Sequence, residues 1–144
     1  MFAQWKVLHL DAVKADSILF CRALEQERFT GHCESVRSFD EGKIYLERAL
    51  YTPQSLSRPD IIVINWHPDC DAHVLEFVRW VRLQPQLHGT PIIVFTKAPL
   101  TYAAHEHAEH EGITELLVRS ESFEELLPQV RALLARCANR SLAR

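Results

Sequence analysis

The chain has 144 residues, 47% of them hydrophobic, and a formal net charge of −3. That length suits one domain with a substantial core, and the composition excludes a disordered chain. The acidic balance gives no reason to expect nucleic acid as a direct partner.

No apolar run approaches the ~20 residues of a membrane span, and no basic segment followed by an apolar stretch opens the sequence. No membrane contact is therefore expected, and the expected location is the cytoplasm. Cys21, Cys33, Cys70 and Cys137 lie far apart with no CxxC pair, which fits reduced thiols there.

Residues 5–10 (WKVLHL) read as a first strand ending at Asp11. Asp16 or Ser17 can cap a helix that buries Phe20, Ala23 and Leu24. Residues 32–37 form a weaker strand of mixed polarity, placed near an edge. A helix from Asp40 to Leu50 turns Tyr45, Leu46, Ala49 and Leu50 inward, and a Ser/Pro-rich loop runs to Pro59. Ile61 to Ile64 are four β-branched apolar residues in a row, too short for a helix and suited to a strand buried on both faces. They stop at Asn65.

A helix over 71–83 places Val74, Phe77, Val78 and Val81 on one face. Ile92 to Phe95 form a second fully apolar strand, ending at Thr96. A polar helix over 101–111 stops at Gly112, and residues 113–118 form the last strand, ending at Arg119. Ser120 or Ser122 caps a final helix with Phe123, Leu126, Val130, Leu133 and Cys137 on one side. Pro128 falls inside it, at a cost of roughly 3 kcal/mol if mid-helix. The domain is expected to span 1–138, with a frayed tail over 139–144.

Strands alternating with helices five times imply a parallel sheet covered on both faces. In such sheets ligands bind outside the carboxyl ends of the strands. Asp11, Asn65, Thr96 and Arg119 are the strand-end residues and should meet at one crevice. Three segments carry a resemblance: residues 58–66 (RPDIIVINW), 90–96 (TPIIVFT) and 112–120 (GITELLVRS). The chain resembles the receiver domain of two-component response regulators, CheY-like proteins with a flavodoxin-like (βα)5 fold of strand order 2-1-3-4-5. With Arg22 to Leu24, Tyr45-Leu46 and the insert before Pro59, it is most similar to the single-domain regulators paired with cyanobacterial bacteriophytochromes.

The departures from that pattern decide the expected function. The family's paired acids after the first strand read Asp11-Ala12 here. Its phosphorylated aspartate maps to Asn65, its lysine to Arg119, its next proline to Ser120 and its aromatic switch residue to Leu116. Only Asp11 and Thr96 are unchanged, so the resemblance is to a degenerate receiver. Three carboxylates ~5 Å apart at an effective dielectric of ~20 repel by roughly 3 kcal/mol per pair, which Mg²⁺ offsets. One carboxylate facing Arg119 gains little from Mg²⁺, so no cofactor and at most a weak cation site are expected. An amide cannot take up phosphate as an aspartate does.

The resemblance then implies no enzyme but a pseudo-receiver, which signals by phosphorylation-independent binding to a sensor histidine kinase or other signalling protein, or by self-association. The alternatives are a phosphorylatable receiver with its acceptor displaced to Asp69 or Asp71, and a metal or small-ligand sensor. The sensor would use the His/Cys/Asp clusters: His67 and Cys70 in one, and His107 and His110, three apart on a helix face, in the other. No glycine-rich phosphate loop and no GxSxG elbow occur.

Overall fold

Four consecutive branched side chains can be buried only where both faces of a strand are covered, and Ile61 to Ile64 occupy the middle of the sheet, each fully buried. The computed structural model describes residues 5–27, 29, 31–51, 58–67 and 71–142. The elements are β1 (Lys6–Leu10), α1 (Lys14–Gln26), β2 (His32–Val36), α2 (Phe39–Tyr51), β3 (Ile61–Trp66), α3 (Asp71–Arg82), β4 (Ile92–Thr96), α4 (Tyr102–His110), β5 (Glu115–Val118) and α5 (Phe123–Leu142). The five strands are parallel in the order β2-β1-β3-β4-β5. This is the expected flavodoxin-like arrangement, with β2 at an edge.

Side chains alternate across the pleat, so parity assigns each residue to a layer. Val7, Ile61, Val63, Ile93 and Phe95 face α1 and α5, meeting Phe20, Leu24, Leu126, Val130 and Leu133. Leu8, Leu10, Ile62, Ile64, Ile92 and Val94 face the other way, onto Leu46 of α2, Val74, Phe77, Val78 and Val81 of α3, and Ala108 of α4. Gly42 lets α2 approach the sheet: a Cβ there would lie 2.8 Å from Leu10 Cδ2. Among the described residues no helix is long and apolar enough to cross a membrane.

Several boundaries differ from the sequence reading. Neither Asp16 nor Ser17 caps α1. Val13 stands at its N-cap without a side-chain bond, and the Asp11 carboxylate takes the Val13 N–H instead. Strand β3 runs on to Trp66 because Asn65 and Trp66 still pair with Phe95 and Thr96. Strand β5 starts later than Ile113. Gly112 has φ 113°, and the Ile113 N–H turns back to the Ala108 carbonyl, ending α4. Thr101 caps α4 from outside, accepting from the Ala104 N–H. Of the two serines offered for α5, Ser122 accepts from the Glu125 N–H. Pro128 does lie inside α5, which runs to Leu142.

Candidate functional site

Matching parity carries the end of β1 and the end of β3 to the same side. Leu10 pairs with Ile64, so the next residues, Asp11 and Asn65, lie side by side on the α1/α5 face. Both are buried, at 2% and 5% exposure. Asn65 Nδ2 donates to Asp11 Oδ2 at 2.9 Å. The Val13 N–H donates to Asp11 Oδ1 at 2.9 Å, and His67 Nε2 lies 3.3 Å from that oxygen. Arg37 reaches the Asp11 backbone carbonyl at 3.3 Å. Asn65 Oδ1 is left buried with no hydrogen-bond partner. An orphaned oxygen costs about 1–3 kcal/mol, so the site carries an unspent acceptor.

Arg119 follows β5, and its own N–H bonds the Thr96 carbonyl at 2.8 Å. Its guanidinium lies 4.0 Å from Asp11 Oδ2 but 3.3 Å from Asp16 Oδ2. The direct pairing expected with Asp11 is therefore the looser contact, and Asp16, in the first turn of α1, is the closer acid. Asp16 escaped the sequence reading because no motif marks it. It lies one turn into the helix after β1, within reach only because β5 brings Arg119 across the crevice.

Asp11, Asp16 and His67 each offer a ligand atom, all within 4.8 Å of one another. Two carboxylates and an imidazole nitrogen form a donor set that can hold a divalent cation. It suits an ion that accepts nitrogen, such as Mn²⁺ or Zn²⁺, better than Mg²⁺, which asks for oxygen ligands. The expectation of no cofactor is therefore unsupported. His67 enters this set, whereas Cys70 and Asp69 lie outside the described residues, and of Asp71 only the backbone opening α3 is described. His107 and His110 join no such group among the described residues. Both are exposed on α4, where His107 faces Glu111 at 3.7 Å.

Thr96 is buried at the end of β4, and its hydroxyl donates to the Ala98 carbonyl at 2.9 Å, holding the following loop. Ala12 is exposed. It lines a cavity of about 280 Å³ beside Asp11, together with Arg37, Phe39, Asp40, Asn65 and His73. Leu116 is partly buried against the α2/α3/α4 layer.

His9, two residues before Asp11 on the same face, went unnoticed in the sequence. It is 2% exposed, stacks on Phe20 with ring centroids 4.3 Å apart, and has Nε2 4.0 Å from Asp11 Oδ2. Burial holds its pKa down to about 4. Asp11 pulls it up, and Arg119 and Arg37 push it further down. The unfolded imidazole takes a proton near 6.5, so between those values the unfolded state binds more protons. Stability is thus full above pH 6.5 and falls as pH drops towards 4, by about 2 kcal/mol between pH 6.5 and pH 4.5. Urea titrations across that range check this, and His9→Phe should remove most of the slope.

No model of a known protein family matches the chain, and no curated protein matches it. Solved structures do. RcpA, a cyanobacterial phytochrome response regulator determined in its phosphorylated form, is 22% identical with a TM-score of 0.75 over 91% of each chain. The Mn²⁺-bound form of the response regulator Rcp1 is 19% identical with a TM-score of 0.72, over 90% of this chain and 91% of that one. The chemotaxis protein CheY4 of Vibrio cholerae is 23% identical with a TM-score of 0.69, over 90% of this chain and 98% of its own. At these identities the likeness establishes the fold, that of response-regulator receiver domains.

Proposed function

We propose that the chain is a receiver-type signalling module that has lost its phosphoacceptor and acts by docking to another protein. One observation carries this reading: the amide of Asn65, not a carboxylate, lies at the floor of the crevice and donates to Asp11. Phosphoryl transfer to a side chain needs an attacking oxygen held in line, with charge on the transferred group neutralised. An amide oxygen is a poor nucleophile. Ala12 contributes no second acid, and Arg119 is held by Asp16. The partner class is a sensor histidine kinase or another signalling protein, with self-association the further possibility. No catalytic turnover is assigned to the chain.

The docking surface we assign is α4, β5 and α5. It carries Tyr102 at 79% exposure and Val118 at 42%, next to the exposed His/Glu face of α4. Leu116, packed behind α4, cannot report phosphorylation by an aromatic swing. The test is incubation with labelled acetyl phosphate, or with the cognate kinase once found. No stable label is expected. Stoichiometric phosphate mapped to Asp69 or Asp71 sinks the proposal and restores an ordinary receiver with a displaced acceptor.

A second reading, a cation-responsive site, is favoured by the meeting of Asp11, Asp16 and His67 and by the Mn²⁺-bound form known for Rcp1. When bound, the ion would supply charge neutralisation at the crevice. Arg119 already does much of that, so cation and guanidinium compete for Asp11 and Asp16. We therefore expect weak Mn²⁺ binding in the native chain. Arg119→Met should tighten it by about tenfold or more, because it removes a like charge from beside the site. Isothermal titration with Mn²⁺ reads this directly. Unchanged affinity in Arg119→Met would remove the competition argument.

A further inference from the structure

Strand period two places Cys33 and Ser35 on the same side of β2. That side meets α1 at Cys21. Cys21 Sγ lies 3.8 Å from Cys33 Sγ and 3.6 Å from Ser35 Oγ. Both thiols are half-buried, whereas Cys137 is fully enclosed in the core. We propose that Cys21 and Cys33 are a hydroperoxide-oxidised dithiol whose disulfide pins α1 to the edge strand.

The chemistry balances with a hydroperoxide as oxidant. The Cys21 thiolate attacks the distal oxygen, the O–O bond breaks, and the leaving alkoxide or hydroxide departs as alcohol or water with the Cys21 proton. The Cys33 sulfur then attacks the Cys21 sulfenic acid. An S–S bond forms, the S–O bond breaks, and the hydroxyl leaves as water with the Cys33 proton. Position assigns the roles: Cys21 Sγ lies within reach of both the Cys33 thiol and the Ser35 hydroxyl, two groups that can donate to its thiolate. Hydrogen bonding with Cys33, then with Ser35, draws the Cys21 thiol down to about 6 against its burial, while Cys33 is pushed up. A thiolate that persists at neutral pH is the one peroxide attacks.

Closing from the present separation to a bond of ~2.05 Å asks for a small approach of the two sulfurs. Strand β2 can yield because it is paired on one side only, to β1. Asp16, which holds Arg119, lies on the same helix as Cys21, and Arg37, bonded to the Asp11 carbonyl, follows β2. The disulfide would thus fix two elements that clamp the crevice.

The test uses the full chain, reduced, then exposed to hydrogen peroxide at pH 7, quenched with N-ethylmaleimide and digested. Two of the four thiols should be lost, with a mass decrease of about 2 Da. A Cys21–Cys33 cross-linked peptide should appear in monomeric protein and reverse with dithiothreitol. Cys33→Ser should leave a dimedone-reactive sulfenic acid at Cys21. Cys21→Ser should slow oxidation of Cys33 by about tenfold or more. The proposal fails if Cys21 proceeds to sulfinic acid while Cys33 remains alkylatable. It also fails if the cross-link joins Cys70 or a second chain, or if Cys33 in Cys21→Ser oxidises at the native rate.

Discussion

Arg82→Ala lowers the unfolding free energy by about 4 kcal/mol, a loss as large as that of emptying a buried core position. Arg82 ends α3 and gathers the chain beyond it. Its Nη1 donates to the carbonyls of Leu87 at 3.0 Å, His88 at 3.2 Å and Thr90 at 2.9 Å. Its Nε and Nη2 converge on the Gly112 carbonyl at 3.0 and 2.7 Å. Those acceptors belong to the loop entering β4 and the turn entering β5, so one guanidinium sets the start of both strands. Thr114, against the same guanidinium at 3.4 Å, passes the constraint on by accepting the Ile92 N–H at 2.9 Å.

Hydrogen bonds from a charged donor contribute about 1.5–3 kcal/mol each. Arg82 is partly open to solvent, so water replaces some of them after truncation, and the sum falls well short of full additivity. Burial lowers the pKa of Arg82, yet the group stays charged at any pH used for such measurements. Arg82→Lys keeps the charge but not the fork and should recover less than half of the loss. Arg79→Ala, one turn earlier, removes a bidentate pair with Glu111 at 2.8 and 2.9 Å. Arg79 is exposed, and its loss should be far smaller. Urea midpoints with an unchanged m-value decide this; an Arg82→Ala midpoint indistinguishable from Arg79→Ala would contradict it.

The contrast between these arginines also marks where sequence reading stops. The sheet was legible because burial on both faces needs unbroken apolar runs, and 61–64 and 92–95 have them. Once strands were assigned, their parallel arrangement put Asp11, Asn65, Thr96 and Arg119 at the carboxyl end of the sheet without any knowledge of loops. What escaped were contacts made by long polar side chains. Arg82, Asp16 and His9 obey no short spacing. Arg82 serves carbonyls five to thirty residues away, and Asp16 meets a guanidinium 103 residues later. A polar residue within a half-apolar strand, as at His9, was the one signal available for the last of them. The α1 cap was misread for a related reason: the carboxylate nearest the helix start, Asp11, serves the strand end and the Val13 N–H together.

Asn65→Asp should destabilise the chain by about 3 kcal/mol at pH 7 without divalent cations. The donor that now reaches Asp11 Oδ2 at 2.9 Å becomes a second carboxylate against one whose side chain has 0% exposure. At ~3 Å and an effective dielectric of ~20, two like charges repel by about 5 kcal/mol, and Arg119 at the edge of contact returns part of that. The folded variant relieves the rest by sharing one proton between the two carboxyls, which raises their apparent pKa. A folded state that holds a proton the unfolded chain releases gains stability as pH falls. The deficit relative to the native chain should therefore shrink from about pH 7 to about pH 4. The native chain itself loses stability over the lower part of that range, through His9, so the comparison must be made at each pH.

Millimolar Mn²⁺ should also close the gap, because a cation neutralises the new pair, and the rescue should exceed any effect on the native chain. Label uptake from acetyl phosphate should stay low in this variant, since Arg119 still competes with the cation for Asp11 and Asp16. If Asn65→Asp is as stable as the native protein at pH 7 in chelator, the amide is not in contact with Asp11, and the docking-only reading loses its foundation.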